Sequence, residues 1–78
     1  MDRLTLHLMR LRRYWEEHLP PGSFLRSVLE NNLIGTVATA TREDLMSLPH
    51  LVAYVYEEAP PSSYGSRRAV KRWVEAVQ

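Results

Sequence analysis

The sequence predicts an all-α fold, a compact bundle of about four short helices in a single domain that spans residues 1–78. Apolar residues recur at intervals of three and four along most of the chain, which is the period of an amphipathic helix. Two proline pairs, Pro20-Pro21 and Pro60-Pro61, are followed by glycine and small polar residues, a composition typical of loops. These loops divide the chain into three stretches.

The first helix is predicted over about residues 3 to 18. Its apolar stripe contains Leu4, Leu8, Leu11, Trp15 and Leu19. The opposite face is predicted to carry Arg3, His7, Arg10 and Tyr14. Residues 4–8 also alternate between apolar and polar as a strand would, but the helical period persists over a longer segment.

A second helix is predicted to begin at Phe24, with Ser23 as its N-cap. Its stripe contains Phe24, Val28, Leu29 and Leu33. Residues 34–40 follow an Asn-Asn pair and contain β-favouring residues with a central glycine, so a strand is one interpretation. A helix with Leu33 and Val37 on one face is the other, and we prefer the helix.

A third helix is predicted to begin after Thr41, which forms a capping box with the carboxylate three residues later. Proline inside a helix costs about 3 kcal/mol, so we expect a break or kink at Pro49, with Ser47 capping a renewed helix. The segment from Leu45 to Tyr56 is almost entirely apolar, which is typical of a helix buried on all sides. A 78-residue chain has little material to surround it, so we expect self-association as a dimer or larger.

The last helix is predicted to begin after Ser66, a second N-cap. Its apolar face contains Val70, Trp73, Val74 and Val77, and its polar face contains Arg68, Lys71, Arg72 and Glu75. Because Trp15 and Trp73 both lie on apolar faces, we expect both side chains in the core.

Several functions are excluded by residues that the chain lacks. Without cysteine there is no disulfide, thiolate zinc site, iron–sulfur cluster or thiol nucleophile. The histidines at positions 7, 18 and 50 have no His-x-x-x-His or Glu-x-x-His spacing, so we expect neither a metal nor another cofactor. Adjacent carboxylates occur at Glu16-Glu17, Glu43-Asp44 and Glu57-Glu58, and they do not converge on one substrate because neighbouring helical residues point about 100° apart. We expect them to be solvated helix faces and helix-start charges. The sequence therefore predicts a protein that is not an enzyme.

Membrane binding is also not expected. No apolar run approaches the roughly 20 residues that span a bilayer. A formal net charge of +1 gives no strong field toward a membrane or nucleic acid. We therefore predict no membrane partner, and the absence of cysteine is consistent with a cytoplasmic location.

One segment combines residues suited to binding a phosphate-bearing small molecule. The candidate residues are Ser63, Tyr64, Gly65, Ser66, Arg67 and Arg68. A flexible loop here enters a helix N-terminus, whose free N–H groups and dipole favour an anion. Two arginines in that first turn are unfavourable by about 0.3–1 kcal/mol each, and a bound phosphate would remove the conflict. Alternatively, the arginines extend into solvent or pair with Glu57 and Glu58.

A second basic cluster contains Arg10, Arg12 and Arg13 and adjoins Tyr14 and Trp15. Arginine beside aromatic residues is typical of nucleic-acid sites, so nucleic-acid binding is an alternative function. The same spacing also allows ion pairs of Arg12 with Glu16 and of Arg13 with Glu17 along one helix.

Four short motifs occur in order along the chain: Pro21-Gly22-Ser23-Phe24-Leu25, Val28-Leu29-Glu30-Asn31-Asn32-Leu33, Tyr56-x-Glu58-Ala59-Pro60, and Gly65-Ser66 followed by Ala69-Val70 and Trp73. In this spacing, over roughly residues 14–74, the sequence resembles a family of small tailed-phage and prophage proteins of unknown function. The resemblance implies an accessory protein that acts inside a bacterial host, and it supplies no catalytic residue. Small phage proteins of this kind often bind host proteins or sequester defence signals.

These observations predict a non-enzymatic, homo-oligomeric helical protein that binds a host factor, with an anti-defence role as one form of that function. The factor is a host protein if the chain exposes an apolar or aromatic patch, and a nucleotide-like signal if the anion site forms. A nucleic-acid-binding or transcription-regulating protein, and a structural or assembly protein, are the alternatives.

Overall fold

Five α-helices form the fold in the computed structural model, which describes residues 2–76. They are α1 (Arg3–Glu17), α2 (Ser23–Leu29), α3 (Leu33–Thr39), α4 (Arg42–Glu58) and α5 (Arg67–Glu75), with a 3-10 turn at Pro61–Ser63. Residues 2–76 contain no strand, so the all-α prediction is confirmed, with five helices in place of about four. The Cα radius of gyration is 11.5 Å, which matches the roughly 11.5 Å expected for one compact globule of this length.

Helix α1 has the predicted extent but not the predicted faces. Asp2 caps its N-terminus by accepting a 2.7 Å hydrogen bond from the Thr5 N–H. His18 ends it in the left-handed region, at φ 59°. Two residues that we placed on the polar face, His7 and Tyr14, are buried. The prediction was wrong because each side chain has a hydrogen-bond partner elsewhere in the chain. That hydrogen bond offsets the free-energy cost of burying a polar group.

Helix α2 begins one residue earlier than predicted, and the prediction that Ser23 is its N-cap is wrong. Gly22 occupies the N-cap position at φ 94°, a conformation that favours glycine. Ser23 is instead the first residue of the helix.

Helix α3 is separate from α2 because Asn31 turns the chain at φ 61°. The Asn32 side chain then caps α3 by accepting a 2.9 Å hydrogen bond from the Gly35 N–H. The helical interpretation of residues 34–40 is therefore confirmed, and the strand interpretation is wrong. Leu33 and Val37 do not continue a buried stripe from α2, because the break leaves both side chains exposed.

Helix α4 begins with the predicted capping box. The Asp44 N–H donates to Thr41 Oγ1 over 3.1 Å, and the Thr41 N–H donates to Asp44 Oδ2 over 2.9 Å. The predicted break is wrong, because α4 continues through Pro49 to Glu58. Ser47 is not a cap, and its hydroxyl donates to the Glu43 carbonyl over 3.0 Å. Buried residues on both sides of the proline hold α4 in place, namely Asp44 before it and Leu51 and Val55 after it.

The hydrophobic core lies where α1 and α4 pack together and where α2 meets α3 and α5. Its buried apolar residues are Leu11, Tyr14, Phe24, Leu25, Leu29, Leu51, Val55 and Val70. The two tryptophans are only partly buried and pack against this core from its edge. The segment predicted to be buried on all sides is not, because Leu45, Met46, Val52 and Tyr56 are exposed along α4.

Helix α5 closes the core against α1. Trp73 Nε1 donates a 2.6 Å hydrogen bond to the Tyr14 carbonyl, and His18 Nδ1 donates a 2.7 Å bond to the Trp73 carbonyl. Val70 is fully buried beneath this contact. Val77, the last residue of the predicted apolar face, lies outside the described residues. Across residues 2–76, no helix combines the length and apolar character needed to cross a bilayer.

Candidate functional site

The loop between α4 and α5 is fixed to the rest of the fold at two points. The Tyr14 hydroxyl donates a 2.7 Å hydrogen bond to the Ser63 carbonyl, and the Gly65 N–H donates a 2.7 Å bond to the Leu29 carbonyl. Burial raises the pKa of Tyr14 well above its ordinary value, so the hydroxyl remains a donor. The loop that we predicted to be flexible is therefore anchored to both α1 and α2.

The six predicted site residues do not form one site. Ser63 is buried, and its hydroxyl donates to the Pro60 carbonyl over 2.7 Å, so it faces no ligand. Ser66 is the predicted N-cap of α5 and accepts a 3.0 Å hydrogen bond from the Ala69 N–H. Tyr64 and Gly65 line an apolar groove, whereas Arg67 and Arg68 line a separate, basic hollow.

The surface that includes Tyr64 and Gly65 is an apolar groove of about 310 Å³, here called the α3–α4 groove. Its walls come from α2, α3, α4 and the loop, and the residues that line it are Val28, Leu29, Asn31, Asn32, Leu33, Thr36, Leu48, Val52, Val55, Tyr56, Tyr64 and Gly65. None of these side chains is charged. The groove is open because α3 packs mainly on α2 while α4 packs mainly on α1.

Exposed apolar residues continue from the groove along α3 and α4. Tyr56 and Leu33 are 78% and 70% exposed, and both are groove residues. Ile34 is 79% exposed on the next position of α3. Sequence reasoning found only the apolar excess of α4 and missed the groove, because its walls come from four separated segments.

Arg67 and Arg68 line a second, basic hollow. Two further cations join them there, Arg26 from α2 and Lys71 one turn further along α5, and Val74 and the acidic Glu75 complete the lining. Arg26 also forms a 3.2 Å ion pair with Glu30. In the described part of the chain, neither Arg67 nor Arg68 forms an ion pair, so the alternative pairing with the Glu57-Glu58 segment does not occur. Arg26 was missed because it lies 41 residues before Arg67.

The other predicted basic cluster does not present aromatic rings to a nucleic acid. Tyr14 is buried, and Trp15 stacks on Tyr54 with ring centroids 5.8 Å apart. Arg12 forms a weak, exposed ion pair with Glu16 over 3.8 Å. The stacking surface that favoured nucleic-acid binding in this part of the sequence is therefore occupied inside the protein.

A buried ionic cluster joins α1 to α4. Asp44 accepts two hydrogen bonds from Arg3, at 2.9 and 3.0 Å, and a 2.7 Å bond from His7 Nε2. Hydrogen bonds from Arg3, then from the Thr41 backbone and from His7, lower the pKa of Asp44 well below its ordinary value, against the opposing effect of burial. Asp44 is thus a helix-start charge as predicted, but it is buried and not solvated. Its oxygens are occupied by these partners, and the cluster stabilises the packing of the two helices.

No group of three or more His, Cys, Asp or Glu residues within positions 2–76 is arranged to hold a metal ion. His50 is exposed, whereas His7 and His18 are engaged with Asp44 and Trp73. Comparison with known protein families, with characterised proteins and with solved structures finds no match. The functional assignment therefore rests on the geometry of the α3–α4 groove and of the basic hollow.

Proposed function

We propose that this chain is a non-enzymatic binding protein that engages another polypeptide through the α3–α4 groove. The observation that carries the proposal is an open groove whose lining has no charged side chain and whose rim exposes Leu33, Val52 and Tyr56. Contiguous apolar surface of this kind marks protein interaction sites in soluble proteins. Its volume, about 310 Å³, suits one or two apolar side chains of a partner.

The predicted loop contributes the edge of this site. Tyr64 and Gly65 line the groove, and the hydrogen bond from Gly65 to Leu29 fixes their position relative to α2. An aromatic side chain held in place at the edge of an apolar groove is a favourable anchor for a protein partner, since little side-chain entropy is lost on binding.

The phage resemblance in the sequence suggests the setting of this activity. In that setting the protein acts in the bacterial cytoplasm through stoichiometric binding, and interference with host defence is one outcome of such binding. No residue of the groove is a candidate acid, base or nucleophile apart from Thr36 and the two tyrosines. Binding, rather than catalysis, is the activity that this lining supports.

A photo-crosslinking residue at Val52 tests the proposal. Val52 is 49% exposed within the groove, so the replacement is tolerated by the fold. The matched control places the same photo-crosslinker at Arg12, an exposed position on α1. Irradiation in a bacterial host lysate is expected to join one defined polypeptide to position 52 and not to position 12. Equal labelling from both positions, or none from position 52, would contradict the proposal.

A phosphate-bearing ligand in the basic hollow is a second candidate, favoured by the addition of Arg26 and Lys71 to the two predicted arginines. The four cations outnumber the one carboxylate of the hollow, Glu75, and Arg67, Arg68 and Lys71 form no ion pair within residues 2–76, so the hollow suits a phosphate group. A panel of mono-, di- and cyclic nucleotides should then raise the melting temperature, since a ligand at a hundredfold excess over Kd adds about 2.7 kcal/mol of stability.

The double variant Arg67→Gln, Arg68→Gln should lose this response, whereas Arg12→Gln, Arg13→Gln should keep it. A response to DNA or RNA that falls steeply with added salt would instead indicate nucleic-acid binding. If no nucleotide changes the melting temperature, the basic hollow is solvated surface only.

A further inference from the structure

We infer that the polypeptide seated in the α3–α4 groove is α3 of a second copy of this chain, which makes the protein a two-fold symmetric dimer. The inference rests on the proposed function, because it names the occupant of the same groove. In such a dimer each copy inserts the exposed side chains of α3 into the groove of the other, so both halves of the interface come from one sequence.

The first argument is that the groove and α3 both lack charge. The groove lining is uncharged, and α3 (Leu33–Thr39) is uncharged along its whole length in a chain where 24% of the residues are charged. An occupant with charged side chains would lose its hydration without gaining an ionic partner in the groove. The chain therefore carries an occupant that matches its own groove.

The second argument is that α3 carries side chains with nothing to cover them. Ile34 projects from α3 without contributing to the lining of its own groove, and it is 79% exposed. Val37 is exposed one turn after Leu33 on the same helix. An uncharged helix that packs mainly on α2 and leaves these apolar side chains exposed is typical of a protein interaction surface.

The third argument is area. The chain has 5418 Å² of accessible surface, whereas a compact 9.1 kDa monomer is expected to have about 4,900 Å². Taking about 100 Å² for a fully exposed aliphatic side chain and about 200 Å² for a tyrosine, the exposed residues of α3 and of the groove supply roughly 400 Å², namely Leu33, Ile34, Val37, Val52 and Tyr56. Two copies would then bury about 800 Å² of apolar surface in total, which is the size of a weak interface. We therefore expect a dimer that dissociates on dilution and is populated at tens of micromolar.

Sedimentation velocity of the full chain at tens of micromolar, with circular dichroism to verify folding, tests the inference. The wild type is expected to sediment at twice the 9.1 kDa chain mass. Val52→Asp, which places a charge in the groove, and Ile34→Lys, which places one on α3, are each expected to be monomeric and folded. Met9→Asp is the control, since Met9 is an exposed apolar residue on α1, and it should remain a dimer.

Mixing the two monomeric variants gives the decisive readout. In the mixed pair, one groove receives the lysine beside its aspartate while the other groove keeps its native lining, so the mixture should recover the dimer. A mixture that stays monomeric overturns the α3-in-groove arrangement, as does dissociation of the Met9→Asp control. If the wild type is monomeric but position 52 cross-links to a different protein, the inferred dimer is wrong and the proposed function stands. If the wild type is monomeric and position 52 cross-links to no protein, the inferred dimer and the proposed function are both wrong.

Discussion

The hydroxyl of Tyr14 donates a 2.7 Å hydrogen bond to the carbonyl of Ser63, which lies 49 residues later in the chain. This bond joins the last turn of α1 to the 3-10 turn that leads to Tyr64, and the bond is buried. The position of the groove edge therefore depends on a residue in the first helix.

Tyr14→Phe should destabilise the protein by about 1–3 kcal/mol, because the Ser63 carbonyl is left buried without its donor. The free energy of unfolding from urea titration measures this loss. Tyr56→Phe is the matched control, since Tyr56 is exposed and its hydroxyl makes no hydrogen bond within residues 2–76. Its effect should stay within about 0.5 kcal/mol, and an equal loss in both variants would contradict the role given to Tyr14.

Asp44→Ala should be more destabilising, by about 3 kcal/mol, because it leaves His7 buried without its charged partner and removes the capping box of α4. Arg3 is partly exposed and can turn to solvent, which holds the loss at the lower end of the range for buried ion pairs. Glu43→Ala, at the neighbouring exposed position, should cost only a few tenths of a kcal/mol. Urea titration of the two variants separates these outcomes, and similar losses would show that Asp44 is not the centre of the cluster.

Stability should fall in acid because the folded-state pKa of Asp44 lies below its ordinary value of 3.8. A carboxyl group with a lowered pKa in the folded state binds protons more readily when unfolded, so its contribution is present above about pH 4 and is lost as pH falls through the folded-state pKa. Asp2 acts with the same sign, since the hydrogen bond from the Thr5 N–H lowers its pKa.

The melting temperature measured from neutral pH down to about pH 2 should therefore be level at first and then fall. In Arg3→Gln the protein should be less stable at neutral pH, and the fall in acid should be shallower, because the largest cause of the lowered Asp44 pKa is gone. An acid fall of unchanged size in Arg3→Gln would contradict this assignment.

Pro49→Ala should stabilise the protein by about 2 kcal/mol. Proline in a helix interior costs about 3 kcal/mol, and part of that gain is offset because alanine leaves the unfolded chain about 0.4–1 kcal/mol freer. The melting temperature should rise by at least about 5 °C. Pro61→Ala is the control, since Pro61 stands at the start of the 3-10 turn, where proline is tolerated, and should give no gain.

The features predicted correctly from the sequence are short-range ones. The capping box of Thr41 with Asp44 and the N-cap at Ser66 each join residues three apart, so the pattern contains the whole interaction. The extent of α1 follows in the same way from a long amphipathic period.

The features that were missed depend on partners far along the chain. His7 was placed on a polar face because its partner Asp44 is 37 residues away, and the break predicted at Pro49 is prevented by tertiary packing on both sides of it. Arg67 and Arg68 were correctly seen as a basic pair, but only the fold adds Arg26 to them. Local patterns cannot carry such information, because the side-chain environment is created only when the helices pack.

The contact of Trp73 with Tyr14 and His18 sets the timing of folding during synthesis. Since the end of α1 is joined to α5 by two hydrogen bonds, this part of the core cannot close before Trp73 has been synthesised. Trp73 is added 44 residues after Leu29, which takes roughly 2–9 s at about 5–20 residues per second. During that interval Phe24, Leu25 and Leu29 of α2 lack their neighbours on α5. A helix that waits in this way for a late partner is exposed to chaperones and proteases while the chain is still being made.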